Sequence, residues 1–181
     1  MFEVPFETLN GPKLIPTQNH LDDRGSFSKL SHLRLLELSM SMDISVSVSK
    51  NSVYGTVRGI HFQLPPFSES KLITCLSGSI FDVVVDLRDS SPTYRNWSSV
   101  ELSSESLQYL YVPKGFAHGF QTLENDTNLL YVISGEYSAE HSRRINFQDL
   151  ELAINWPLPV TEISLADREA NTLKSLLAEF K

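Results

Sequence analysis

Cysteine is nearly absent. Cys75 is the single one in 181 residues, so no disulfide can close within the chain, which fits a reducing compartment, and a cytoplasmic location is expected. Its neighbours Ile73, Thr74 and Leu76 mark a buried structural thiol rather than a nucleophile. Positive charge is also scarce: 15 Lys and Arg stand against 22 Asp and Glu, a net charge of −7. That balance argues against nucleic acid as a partner but leaves room for a local basic pocket that takes an anion. No apolar run approaches the ~20 residues that span a bilayer, so no membrane partner is expected. The opening Met1-Phe2-Glu3-Val4-Pro5 carries an early acid and a proline and does not read as a signal peptide. Low-complexity tracts and internal repeats are missing too, and the length suits one domain over 1–181 with a sizeable core.

What the chain does have is a series of short strand patterns. Residues 1–20 carry Pro5, Pro12 and Pro16 and read as edge strands or an extended arm. Asp22-Asp23-Arg24-Gly25-Ser26-Phe27 is a turn, either a plain hairpin or a lip whose Arg24 and Phe27 clamp a charged, flat ligand. The segment 31–38 is compatible with a short helix. Ile44 to Ser49 alternates strictly and reads as a half-buried strand. Thr56-Val57-Arg58-Gly59-Ile60-His61-Phe62-Gln63 is a strand that projects an arginine, an imidazole and an amide within six residues. His61 can move a proton near neutral pH, and Arg58 suits a phosphate or carboxylate. A tight Ser77-Gly78 turn predicts a hairpin in which Lys71 lies opposite Val84 and diagonal to Asp82, as a surface ion pair or as part of a site. The opposite face, Phe81, Val83, Val85 and Leu87, is apolar and must be buried.

Further on, Pro113 to Phe120 reads as a glycine-bracketed turn that places His118. Tyr131 shares a face with Leu129 and Ile133, as a core tyrosine or as an acid. Ser164 is a helix N-cap with Asp167 in the first turn, and Leu173, Leu176, Leu177 and Phe180 recur at helical spacing, so one short helix is expected over about 165–180. Many short strands, little helix before the end and no βαβ rhythm together indicate an all-β sandwich or jelly roll with a short C-terminal helix. His61-Phe62-Gln63 lacks a His-x-His pair, and neither a metal nor another cofactor is expected.

Three stretches together carry a family resemblance: Gly55 to Gln63, Phe81 to Arg88 followed by Ser91-Pro92-Thr93, and Val112-Pro113-Lys114-Gly115-Phe116-Ala117-His118-Gly119-Phe120. Between about Asp22 and Asp167 the chain resembles the dTDP-4-dehydrorhamnose 3,5-epimerase family, the RmlC-like sugar-nucleotide cupins. The resemblance implies a cupin-like jelly-roll barrel and a nucleotide-sugar substrate. It also implies a homodimer whose N-terminal arms are exchanged. It places a catalytic base on His61, its carboxylate partner on Asp167, a lysine facing the sugar ketone on Lys71 with Asp82 beside it, and a tyrosine acid on Tyr131. It puts His118 in the pocket, Arg58 near the phosphates, Tyr137 near the nucleotide base, and Arg24 and Phe27 where a partner subunit grips the nucleotide. Gln63, which closes the first stretch, is a candidate substrate contact. The chain departs from the family pattern at Lys29, at Glu69 (where the family usually has a glutamine), at Val132, Ala139 and Ser142 and over Ser45 to Asn51; several of these lie where the family grips the nucleotide or outer substrate.

Overall fold

Short β-branched runs cut by Gly, Pro and Asp/Ser turns favour strands over long helices. The structure, a computed structural model, describes residues 5, 8, 9, 11–23, 25–29 and 44–178. In chain order these form β1 (Lys13–Ile15), β2 (Gln18–Asp22), β3 (Gly25–Lys29), β4 (Ile44–Asn51), β5 (Thr56–Gln63), β6 (Ser70–Ser77) and β7 (Ser79–Asp86). Then come β8 (Trp97–Ser103), β9 (Tyr109–Val112), β10 (Phe116–Thr122), β11 (Thr127–Ser134), β12 (Ser142–Arg144), β13 (Glu162–Ile163), α1 (Leu165–Arg168) and α2 (Leu173–Ala178). One sheet runs β1-β9-β6-β11-β4 and a second runs β12-β5-β10-β7-β8, with β13 added in parallel beside β5. β2 and β3 pair separately, Asp22 against Gly25. This is the expected all-β, cupin-like jelly roll. Arg24 and the segment 31–38 lie outside the described residues.

Apolar rows on the facing sides of the two sheets fill the space between them. Ile73, Cys75, Leu110 and Leu129 of the first sheet meet Ile80, Val84, Leu102 and Phe120 of the second. The row Val83 and Val85, with Phe81 and Leu87 beside it, is buried as the sequence requires, but on the outer side of its sheet. There it packs with Trp97, Ile145, Leu152, Leu173 and Leu176. Cys75 is fully buried, and burial pushes its thiol up to about 11, as a structural thiol should be.

The structure corrects four local expectations. β6 and β7 do not form a hairpin; Ser77-Gly78 is the corner at which the chain crosses from one sheet to the other. β4 is an edge strand whose apolar residues face outward: Ile44, Val46 and Val48 are 49%, 67% and 53% exposed, while only Ser49 and Asn51 are covered. Strict alternation identifies a two-faced strand without saying which face is covered. His118 lies mid-strand in β10 rather than in a turn, because the turn is confined to Pro113–Gly115. The C-terminal helix is broken into α1 and α2. The backbone between them is drawn off, with Asn171 bridging Ile145 and the Leu173 N–H donating to Asp149 Oδ2 at 2.7 Å.

The end of β7 is pinned by a buried carboxylate. Asp86 accepts from Arg88 Nη2 at 2.6 Å, Ser91 Oγ at 2.5 Å and Thr93 Oγ1 at 2.7 Å. Burial alone would raise this carboxyl, but the hydrogen bonds from Arg88, Ser91 and Thr93 outweigh it and hold it below the ordinary carboxylate range. The stabilisation from a depressed carboxyl is fully present above the unfolded value of about 3.9 and is lost below it, as pH falls through the lower folded-state value. Asp86→Asn is therefore expected to cost about 2 kcal/mol at pH 7, a figure reduced because Arg88 is partly exposed. The difference from the parent should shrink toward pH 3. Urea unfolding of both proteins across that range checks this, and a gap that is independent of pH would contradict it.

Candidate active site

The two sheets part at one end of the barrel around a cavity of about 360 Å³. The six-stranded sheet supplies Arg58, His61 and Gln63 from β5 and His118 from β10. The five-stranded sheet supplies Lys71 from β6 and Tyr131 from β11. Side chains alternate along a strand, and the register sorts them. Tyr131 pairs with Ile73, two residues from Lys71, so the ammonium and the phenol share one face. His61 and His118 are direct cross-strand partners on the opposite wall. That pairing depends on Gly59, where φ is +130° and a Cβ would stand 2.5 Å from the Gly119 Cα. The two strands pass too closely there for any other residue, and the ladder shifts between His118 and Phe120.

His61 Nε2 lies 2.6 Å from Asp167 Oδ1. Asp167 is 4% exposed and sits in the first turn of α1, where Ser164 caps the helix by accepting the Asp167 N–H. Burial alone would raise the Asp167 carboxyl; the hydrogen bond and charge of His61, with help from Ser164 and the Gly59 N–H, pull it below its ordinary value. Asp167 therefore stays ionised and fixes the ring, leaving Nδ1 as the nitrogen open to a ligand. Arg144 Nε, 3.2 Å from the same carboxylate oxygen, supports the arrangement from β12.

A second pair lies deeper. His118 Nε2 is 2.9 Å from Asp82, which is completely buried. Burial raises the Asp82 carboxyl, opposed by the charge of His118 and, less strongly, of Lys71. Lys71 itself is 9% exposed and ion-pairs with Glu69 at 3.0 Å. Thus Lys71 and Asp82 do interact, through space across the barrel rather than across a hairpin. The Tyr131 ring stands edge-on to His118, centroids 6.1 Å apart. Burial first, and the nearby Asp82 charge second, push the Tyr131 hydroxyl well above its ordinary value, so it persists as a neutral proton donor.

The remaining predicted residues fall at the margins. The Arg58 Nε donates to Asn51 Oδ1 at 2.7 Å, which aims the guanidinium into the cavity. Tyr137 lines the rim and is 71% exposed. Phe27 belongs to β3, and Arg24 lies outside the described residues. Gln63 does not present a free amide: its Nε2 donates to the Phe67 and Glu136 carbonyls and to Glu69 Oε2, and its Oε1 accepts the Ser138 N–H. Glu69 and Asn51 figure in the sequence only as departures from the family pattern and Arg144 not at all, yet each holds a side chain of the site in place. Glu69 stands two residues before Lys71, just ahead of β6, and this period-2 spacing is the signal that puts the two side chains on one side. Arg144 carried none, since only the fold brings β12 beside β5.

Comparison with known proteins agrees with this geometry. The family model described as dTDP-4-dehydrorhamnose 3,5-epimerase matches residues 7–175. A dTDP-4-dehydrorhamnose 3,5-epimerase of Sinorhizobium fredii is 42% identical over 174 residues, 93% of this chain and 88% of that protein. A dTDP-4-dehydrorhamnose 3-epimerase of Streptomyces niveus is 36% identical over 164 residues, 90% of this chain and 79% of that protein. The crystal structure of the Bacillus anthracis dTDP-4-dehydrorhamnose 3,5-epimerase with TDP and PPi bound superposes with a TM-score of 0.86 at 38% identity, covering 94% of this chain and 98% of that one. The chain belongs to the dTDP-4-dehydrorhamnose 3,5-epimerase family and is an isomerase of the sugar-epimerase class.

Proposed function

We propose that this protein inverts C3, C5 or both in a dTDP-linked 4-keto-6-deoxyhexose, in deoxysugar biosynthesis. The observation that carries the reading is the placement of a base and an acid on facing walls of one cavity, His61 on one sheet and Tyr131 on the other. Inversion needs this separation, because the proton must leave one face of the carbon and return to the opposite face. His61 Nδ1 takes the proton next to the ketone. The C–H electron pair forms the enolate double bond, and the carbonyl pair moves to oxygen. Lys71 places positive charge where that oxygen becomes anionic, commonly the largest catalytic contribution. Tyr131 then gives its O–H proton to the same carbon from the other side as the ketone re-forms. The proton held on His61 returns through solvent to the phenolate, so no redox partner is consumed. Arg58 is the diphosphate contact and Tyr137 the platform for the base.

The outward apolar row of β4 supports a homodimer, with a second copy covering Ile44, Val46 and Val48. On this reading the N-terminal arms are exchanged, so that Arg24 and Phe27 reach the neighbour's nucleotide, and the enzyme works in the cytoplasm. Among the described residues no helix is long and apolar enough to cross a membrane. Inversion at one centre only is the second reading, favoured by the likeness to the Streptomyces niveus 3-epimerase.

The test is deuterium uptake from heavy water into dTDP-4-keto-6-deoxyglucose, read by mass and proton NMR. Two deuterons and a rhamno-configured product are expected for the double epimerase. One deuteron assigns a single centre. No uptake with any 4-keto sugar nucleotide would overturn the enzymatic reading and leave a sugar-nucleotide-binding cupin.

A further inference from the structure

Gln63 and Glu69 are an unusual pair to find in a cavity wall, because neither side chain is free to meet a ligand. Gln63 is 7% exposed, and its amide makes four hydrogen bonds to protein groups. Two of these, the donation to the Glu136 carbonyl at 3.1 Å and the acceptance of the Ser138 N–H at 2.7 Å, grip the backbone on either side of Tyr137. A third, to Glu69 Oε2 at 3.2 Å, leads to the carboxylate whose other oxygen holds the Lys71 ammonium at 3.0 Å. The backbone of the same loop also runs against Glu69: a Cβ at Gly135 would lie 3.3 Å from the Glu69 Cα. A continuous polar chain therefore joins the loop bearing the rim aromatic to the lysine deep in the cavity.

We infer that Gln63 and Glu69 are positioning residues that couple the seating of the Tyr137 loop to the placement of the Lys71 ammonium. The inference rests on the proposed function, in which Tyr137 meets the nucleotide base and Lys71 the sugar ketone. Closely packed, fully bonded networks in a low-dielectric wall move as a unit. A nucleotide stacked on Tyr137 thus holds the loop in the position that keeps Glu69 on Lys71. Glu69 holds the ammonium at 3.0 Å, which limits where its charge can sit in the cavity. A carboxylate does this more firmly than a neutral amide, which gives the departure at position 69 a physical consequence.

Three variants, Gln63→Ala, Glu69→Ala and Glu69→Gln, test the coupling by two measurements. The first needs no ligand: hydrogen exchange of the backbone amides between 136 and 142. Both alanine variants should speed exchange in this loop about tenfold, although position 69 donates nothing to its backbone, and Glu69→Gln, which keeps an acceptor for Gln63, should restore most of the protection. The second is kinetic. Glu69→Ala should lower kcat for deuterium uptake about tenfold and weaken dTDP binding by a smaller factor. Gln63→Ala should weaken dTDP binding and lower kcat together, and the double alanine variant should lose less than the product of the two single losses. Loop exchange unchanged in Glu69→Ala, or multiplicative losses in the double variant, would overturn the coupling. Because the exchange measurement uses no nucleotide, a wild-type protein that fails to turn over the sugar would defeat the proposed function while the coupling is still judged on its own.

Discussion

Replacing His61 with asparagine is expected to lower turnover by about 10²–10⁴-fold, the range general base catalysis supplies, while the protein remains folded and binds dTDP as before. Asparagine is polar and smaller, stops short of the Nε2 position that meets Asp167, and cannot accept a carbon-bound proton. The fold should tolerate it because His61 is only half-buried and its sole strong partner is a carboxylate beside Arg144 and the Ser164 cap. Deuterium uptake should vanish at every exchangeable sugar position, since proton abstraction precedes all later steps. Single-turnover mass spectrometry with circular dichroism as the folding control decides the matter. Uptake retained at the wild-type rate would remove His61 from the role of base.

Tyr131→Phe should have a different signature. The base is intact, so His61 can remove a proton and return a deuteron to the same face. Exchange should continue while inverted product falls by about 10²-fold or stops after one centre. The ring edge against His118 is preserved by phenylalanine, so packing is little disturbed. The pH dependence follows from the same environment. Burial and the Asp82 charge raise the Tyr131 hydroxyl above its ordinary value of about 10, so it remains the protonated donor throughout the neutral and mildly alkaline range. Wild-type rates should therefore show no loss attributable to this group below about pH 10. Loss of exchange and inversion in equal proportion would show that Tyr131 does more than deliver the second proton.

Part of this site is legible in the sequence because several of its side chains stand beside clear local punctuation, and the rest enters through the family resemblance. Gly59 two residues before His61 marks a close approach and Ser164 three residues before Asp167 marks a capped first turn, whereas Gly115 and Gly119 read as the brackets of a turn and hide the strand that carries His118. What one sequence does not carry is pairing between distant strands. The Ser77-Gly78 turn satisfies every local rule for a hairpin. Whether such a corner closes a ladder or changes sheet depends on what waits beyond it, here β10 on one side and β11 on the other. The same blindness hides the His118–Asp82 pair and the reach of Arg144 to Asp167, both products of lateral strand order. The exposure of β4 is illegible for another reason: alternation has two faces, and nothing in it says whether either one is covered.

The facing walls carry one more implication. The proposed base and acid, His61 and Tyr131, belong to separate sheets that share no backbone ladder among the described residues, so no hydrogen-bonded register sets the gap between them. That gap is maintained by apolar side chains deeper in the sandwich, among them Ile73, Leu110, Ile80 and Val84. A change of one methylene at these positions alters the spacing between the sheets without touching a polar atom of the cavity. The stereochemical outcome is thereby exposed to drift in residues that never meet the sugar. Two descendants of one ancestor could keep identical chemical groups and still differ in how many carbons they invert.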